Sequence, residues 1–141
     1  LIDVPGYECI PIHPAARFIA TMNYGYAGTR ELNEALVSRF TVIRMPILEE
    51  AQLCELLQNS VPEASRENIK RCVGLFLDLN AKAVNGEIST NAVDMRGMIA
   101  GLRLMTDGVA PKDAIAVSIT NKCFDEYEYE LVRDVALTRF A

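Results

Sequence analysis

The sequence predicts a small α/β piece followed by an all-α bundle, mainly α overall. The α/β piece, residues 1–47, holds a β-hairpin, two strands and a short helix, and the bundle takes residues 48–141. Two observations carry this reading. Short apolar runs rich in β-branched residues, punctuated by turn dipeptides, fill the first part; after Pro46 the apolar spacing changes to the three-and-four rhythm of helices. Half of the 141 residues are apolar, enough to bury one respectable core or two small ones.

Leu1-Ile2-Asp3-Val4, the turn pair Pro5-Gly6 and the run Tyr7 to Ile12 read as two short strands around a turn, in the simplest form a hairpin. Arg17 to Asn23 is an apolar, partly β-branched run of the kind that is buried on both faces of a sheet. The loop Tyr24 to Thr29 carries Gly25 and Gly28, which leave it free to adopt positive φ. Thr29 can cap a short helix reaching Arg39, with Leu32, Ala35 and Leu36 on one face. Thr41 to Met45 is a second strand, ended by Pro46. Two strands joined by a helix suggest one βαβ-like unit.

In the second part, Leu48, Leu53, Leu56 and Leu57 fall near one helical stripe. Ser65 can start a long helix with Ile69, Cys72, Val73, Phe76, Leu79 and Ala83 on its face, and Asn85-Gly86 ends it. A helix over about 92–106 follows, with Met95, Met98, Ile99, Leu102 and Met105 as its apolar positions. Pro111 suits the first turn of another, running through Ile115 and Ile119. A last amphipathic stretch, Phe124 to Phe140, sets Tyr127, Leu131, Val135 and Leu137 against a polar face.

Composition removes several function classes. A net charge of -5 gives no overall attraction for a polyanion and argues against nucleic acid or an anionic membrane as the main partner. Cys9, Cys54, Cys72 and Cys123 stand at long intervals with no CxxC, and His13 is the one histidine, so the cysteines read as reduced thiols rather than a metal or redox site. That usage fits a reducing cytoplasm. No apolar run approaches the roughly 20 residues of a membrane span. The chain opens on Leu1 rather than Met, which reads as a cut inside a longer protein.

Chemistry-bearing positions concentrate between residues 13 and 40. The run from His13-Pro14-Ala15-Ala16-Arg17 through Phe18-Ile19-Ala20-Thr21-Met22-Asn23, the glycine-bearing loop, Leu32 to Leu36 and Ser38-Arg39-Phe40 follow one another in a fixed order. Together they resemble the AAA+ ATPases of the MoxR, CbbQ and gas-vesicle GvpN (dynein-related) group. Alone, Asn23 would read as a residue that ends a strand and opens a turn; the resemblance makes it the sensor 1 amide, which orients the attacking water because an amide donates and accepts at once. Arg39 alone would be an ordinary surface arginine. The resemblance makes it the arginine finger, a planar cation offered to the nucleotide of a neighbouring subunit.

The same resemblance turns residues 48–141 into a helical lid and places the sensor 2 arginine at Arg96, in Asp94-Met95-Arg96-Gly97; an alternative alignment on Ser89-Thr90 puts Asn91 there. Arg103 is read as a solvated helix residue. The hairpin tip at Pro5, Gly6 and Tyr7 would face a ring pore. The implied cofactors are ATP and Mg2+, yet the chain has neither the glycine-rich Gly-Lys-Ser/Thr loop that cradles phosphates nor an Asp-Glu pair after an apolar strand. Asp125-Glu126, the nearest acidic pair, reads as a solvated helix face. Both ligands would therefore need an N-terminal half, and this piece alone would be inactive. The implied assembly is a homo-oligomeric ring, a hexamer, acting as a remodelling chaperone on a protein substrate or a VWA-type partner. The competing reading is a non-catalytic helical interaction module with vestigial ATPase features.

Overall fold

The computed structural model describes residues 5–9, 11–22 and 33–140. The chain divides into two compact units, Leu1–Val42 and Ile43–Ala141.

In the first unit the chain turns at Pro5-Gly6, where Gly6 takes φ +88, a conformation that costs a residue without Cβ little. Helix α1 is a single turn, Glu34–Val37. Asn33 starts it, its side-chain oxygen accepting the Ala35 N–H at 2.8 Å. Thr29, the expected cap, lies outside the described residues, as do Leu1 to Val4, one arm of the expected hairpin.

Among the described residues there is no strand, so the expected hairpin and the runs Arg17–Met22 and Thr41–Met45 need correction. Their side chains face solvent: Ile19 is 92% exposed and Met45 83%. The reason is that strand formation is not local. A strand exists only when a neighbour takes its N–H and C=O groups, and β-branched composition without that neighbour leaves an irregular chain.

The second unit is helical: α2 Glu50–Ser60, α3 Arg66–Val84, α4 Met95–Thr106, α5 Pro111–Ser118 and α6 Glu126–Phe140, with 3-10 turns at Thr90–Ala92 and Thr120–Lys122. Local chemistry sets most of these boundaries. The Glu49 N–H donates to Gln52 Oε1 at 3.0 Å at the start of α2, and Ser65 Oγ accepts the Asn68 N–H at 3.1 Å at the start of α3. Helices α3 and α4 end alike. Gly86 (φ +76) and Gly108 (φ +93) donate to Ala83 and Met105, and the next residues, Glu87 and Val109, reach back to Lys82 and Leu104. Both are Schellman closures, which use the freed carbonyls of the last turn. Pro111 occupies the first turn of α5, where a missing N–H costs nothing.

The core runs through all five helices: Leu53 and Leu57 from α2, Leu75 and Leu79 from α3, Met98 and Leu102 from α4, Ile115 from α5 and Val132 from α6 are almost fully buried. Helix α3 packs on α2, α4 and α6, while α5 packs on α4 and α6. The buried face of α6 is Val132, Ala136 and Phe140, one position round from the expected stripe; Leu131, Val135 and Leu137 are half-buried, and Tyr127 is exposed. Polar and apolar residues alternate too evenly along α6 for its sequence to fix which face turns inward, so α3 and α5 decide it. Across α3 and α6, the Arg139 guanidinium lies against Gly74 and pairs with Asp78 through two bonds of 2.8 and 3.1 Å.

Candidate functional site

The three residues named from sequence fall as follows. Asn23 lies outside the described residues. Arg39 stands in the turn after α1, exposed, in the first unit; the bonds Ser38 N–H to Glu34 O and Phe40 N–H to Val37 O fix the backbone on either side of it. Arg96 is the second residue of α4, exposed, in the second unit. Among the described residues neither arginine enters an ion pair. Asn91, the alternative to Arg96, sits in the 3-10 turn Thr90–Ala92 and is also exposed.

The start of α4 is held by a cluster of polar contacts. Asp94 occupies the N-cap position, and its Oδ2 accepts from Lys122 Nζ at 2.6 Å. Partial burial works against ionisation of Asp94, but the Lys122 ammonium and the N–H groups of Gly97 and Arg96 outweigh it and hold the carboxyl below its ordinary range. The segment that leads into the helix is tied twice more. Lys82 Nζ reaches Glu87 at 2.7 Å, and Glu128 of α6 accepts the Ser89 N–H at 2.6 Å.

Close packing brings Lys122 to Asp94. Helix α4 presents Gly97 and Gly101, both buried, to α5. A Cβ on Gly97 would stand 2.5 Å from Ile119 Cδ1 and 2.6 Å from the Ser118 carbonyl oxygen, and one on Gly101 would stand 2.8 Å from Ser118 Oγ. The two backbones therefore approach as side chains would forbid, and the turn Thr120–Lys122 after α5 lies beside the α4 N-terminus. Sequence reasoning singled out Asp94-Met95-Arg96-Gly97 but missed Lys122 and the glycine pair. The four-residue spacing of Gly97 and Gly101 was a readable sign of close helix approach, whereas nothing local links Asp94 to a lysine 28 positions away.

Chemically, the region offers a free guanidinium on the first turn of a helix, with five donors in a planar fork suited to phosphate oxygens. From Arg96 an open face of α4 continues through Ile99, Ala100, Arg103 and Leu104, and Arg103 is exposed as expected. The acidic pair near the C-terminus has a structural use instead: Asp125 starts α6, its Oδ1 accepting the Glu128 N–H at 2.9 Å.

Of the cysteines, Cys72 is buried, Cys54 and Cys123 half-buried and Cys9 exposed. Burial pushes the Cys72 thiol up to about 12, and burial followed by the Glu128 carboxylate raises Cys123, so neither is an activated nucleophile. Among the described residues no group of His, Cys, Asp and Glu side chains could hold a metal ion, and no helix is long and apolar enough to cross a membrane.

No family model matches the chain, and no solved structure matches it. It is similar to the uncharacterized protein YojN of Bacillus subtilis (strain 168), 35% identical over 122 residues, which make up 86% of this chain and 40% of that protein. It is also similar to the uncharacterized protein SH1500 of Staphylococcus haemolyticus (strain JCSC1435), 30% identical over 134 residues, 94% of this chain and 50% of that protein. The chain thus spans half or less of the length of these curated relatives.

Proposed function

We propose that this chain is the sensing and trigger part of a MoxR-like AAA+ ATPase. On this reading a cytoplasmic homo-oligomeric ring, a hexamer, couples ATP hydrolysis to remodelling a protein substrate or a VWA-type partner. The observation that carries the reading is an exposed arginine on the first turn of a helix, Arg96, which forms no ion pair among the described residues, in a chain whose residues 13–40 resemble the family's sensor and finger elements in order. An unsatisfied fork of N–H donors at a helix start is suited to a γ-phosphate, and its engagement would report nucleotide state to the helical unit. Asn23 would orient the attacking water, and Arg39 would reach the nucleotide of a neighbouring subunit. ATP and Mg2+ would be held by a phosphate loop and acidic pair in the part of a longer protein that these 141 residues lack.

The exposed apolar residues Phe18, Ile19, Met22, Val42, Ile43 and Met45 suit this reading, because a sheet supplied by such a part would give these runs the strand neighbours they lack here. The test is made in assembled rings of the longer protein. Arg39→Ala is expected to abolish turnover while leaving ATP binding nearly intact, and Asn23→Ala to slow hydrolysis with binding preserved. Normal turnover of the Arg39 variant removes the finger, and loss of nucleotide affinity in the Asn23 variant makes that residue structural. Unchanged activity in both leaves the non-catalytic interaction module as the better account.

A further inference from the structure

Two open helix faces of the second unit have opposite characters. On α4, Arg96, Ile99, Ala100, Arg103 and Leu104 follow the spacing of one helical stripe, turned away from the buried Gly97, Met98, Gly101 and Leu102. The only charged side chains between Met95 and Thr106 are the two arginines. Arg103 is exposed and forms no ion pair among the described residues. On α6, Tyr127, Glu130, Leu131 and Asp134 repeat the three-and-four spacing, turned away from the buried Val132, Ala136 and Phe140. This stripe holds Tyr127 and Leu131, two of the apolar residues that the sequence assigned to the inward face. Its negative charge is in surplus, because the single Arg133 guanidinium serves both Glu130 and Asp134. Tyr127 is 71% exposed, and Phe124, two residues before the helix, 97%. Rings left in water to this extent mark contact surfaces.

We propose that these two faces dock on each other between copies of this chain, the α4 stripe of one copy seated on the α6 stripe of the next. Each face supplies what the other lacks. Arg103 is a cation without a carboxylate, whereas Glu130 and Asp134 are two carboxylates with one cation between them. A guanidinium can pair with a carboxylate in two-bond geometry and lay its plane on an aromatic ring, so one arginine suits both the acids and Tyr127. Ile99, Leu104 and Leu131, half-buried in a single copy, give the contact an apolar centre. Within one copy the two faces cannot meet, because each lies opposite the stripe that its helix buries in the shared core. The contact is therefore heterologous, and contacts of that kind continue into rings or filaments rather than stop at a dimer. It stands without the nucleotide chemistry proposed above: Arg103 is its anchor, and Arg96, two turns away and about 10 Å along the axis, is left for the phosphate.

Sedimentation velocity of the 141-residue chain at low salt tests this. The sedimentation coefficient of the wild type is expected to rise with concentration, with a Kd on the order of 100 μM, as suits a contact at the small end of the interface range. It should fall back as salt is raised. Arg103→Glu and Asp134→Arg should each weaken the association about tenfold, because each sets like charges face to face. Mixed in equal amounts, the two variants should associate as the wild type does, since each then offers the other the opposite charge at both faces; this recovery also requires both variants to be folded. Tyr127→Ala should weaken the association with no change of charge. A wild type that stays monomeric at every concentration, an association that either reversal leaves unchanged, or a mixture no better than its parts each overturns the proposal. Association indifferent to both reversals would belong to the exposed apolar residues of the first unit, and association lost only in Arg103→Glu to α4 meeting a partner other than α6.

Discussion

At the scale of single residues, Gly97 shows how one missing side chain governs a region. A methyl there would stand 2.5 Å from Ile119 Cδ1 and 2.6 Å from a backbone oxygen that cannot swing aside, so α4 and α5 would have to part. We expect Gly97→Ala to destabilise the chain by about 1–3 kcal/mol, despite the better helix propensity of alanine, with the urea midpoint as the measure. An unchanged midpoint would mean that α5 shifts freely, and with it Lys122. Asn23, Arg39 and Arg96 were singled out from the sequence because the resemblance that names them is an ordered string of residue types that needs no geometry, and their roles stand as proposals. Lys122 was not, because its role depends on where the turn after α5 comes to rest.

At the scale of elements, the helices of the second unit could be read from caps and punctuation: Ser65 before α3, Asn85-Gly86 after it and Pro111 at the start of α5 are local instructions, and the chain obeys them. The strands could not, because a strand's identity lies in its neighbour. The α6 face fell between these cases, local in period and non-local in phase. The tie between the turn after α5 and the start of α4 also has a pH signature. Asp94 has a folded pKa below its unfolded value, so the native state binds fewer protons; its contribution is complete above the ordinary aspartate value of about 3.9 and is lost as pH falls through the lower folded value. Lys122→Met should therefore flatten the loss of stability between about pH 5 and pH 3, read from urea midpoints across that range. Parallel curves for variant and wild type would show that Lys122 does not set the Asp94 ionisation.

At the scale of the whole molecule, the second unit rests on a core to which every one of its helices contributes. Leu79, fully buried in α3, touches that shared interior, and Leu79→Ala should cost about 2–5 kcal/mol, a large part of the 5–15 kcal/mol that holds a typical domain folded. Thermal unfolding of the 141-residue chain measures it; a loss well under 1 kcal/mol would indicate a core that collapses around the gap. Within the first unit the apolar side chains of Phe18, Ile19 and Met22 are exposed.

The Ser118 hydroxyl, buried and without a hydrogen-bond partner among the described residues where α5 faces Gly101, has an evolutionary consequence. Its oxygen is the atom that a methyl at position 101 would strike, at 2.8 Å, so the two positions constrain each other. Glycine tolerates serine opposite it, whereas an alanine there requires the Ser118 hydroxyl to rotate away or a smaller residue in its place. Homologous chains should therefore trade these residues in pairs, keeping the seam closed while its two sides drift, and a Gly101→Ala exchange with Ser118 retained should be the rare combination.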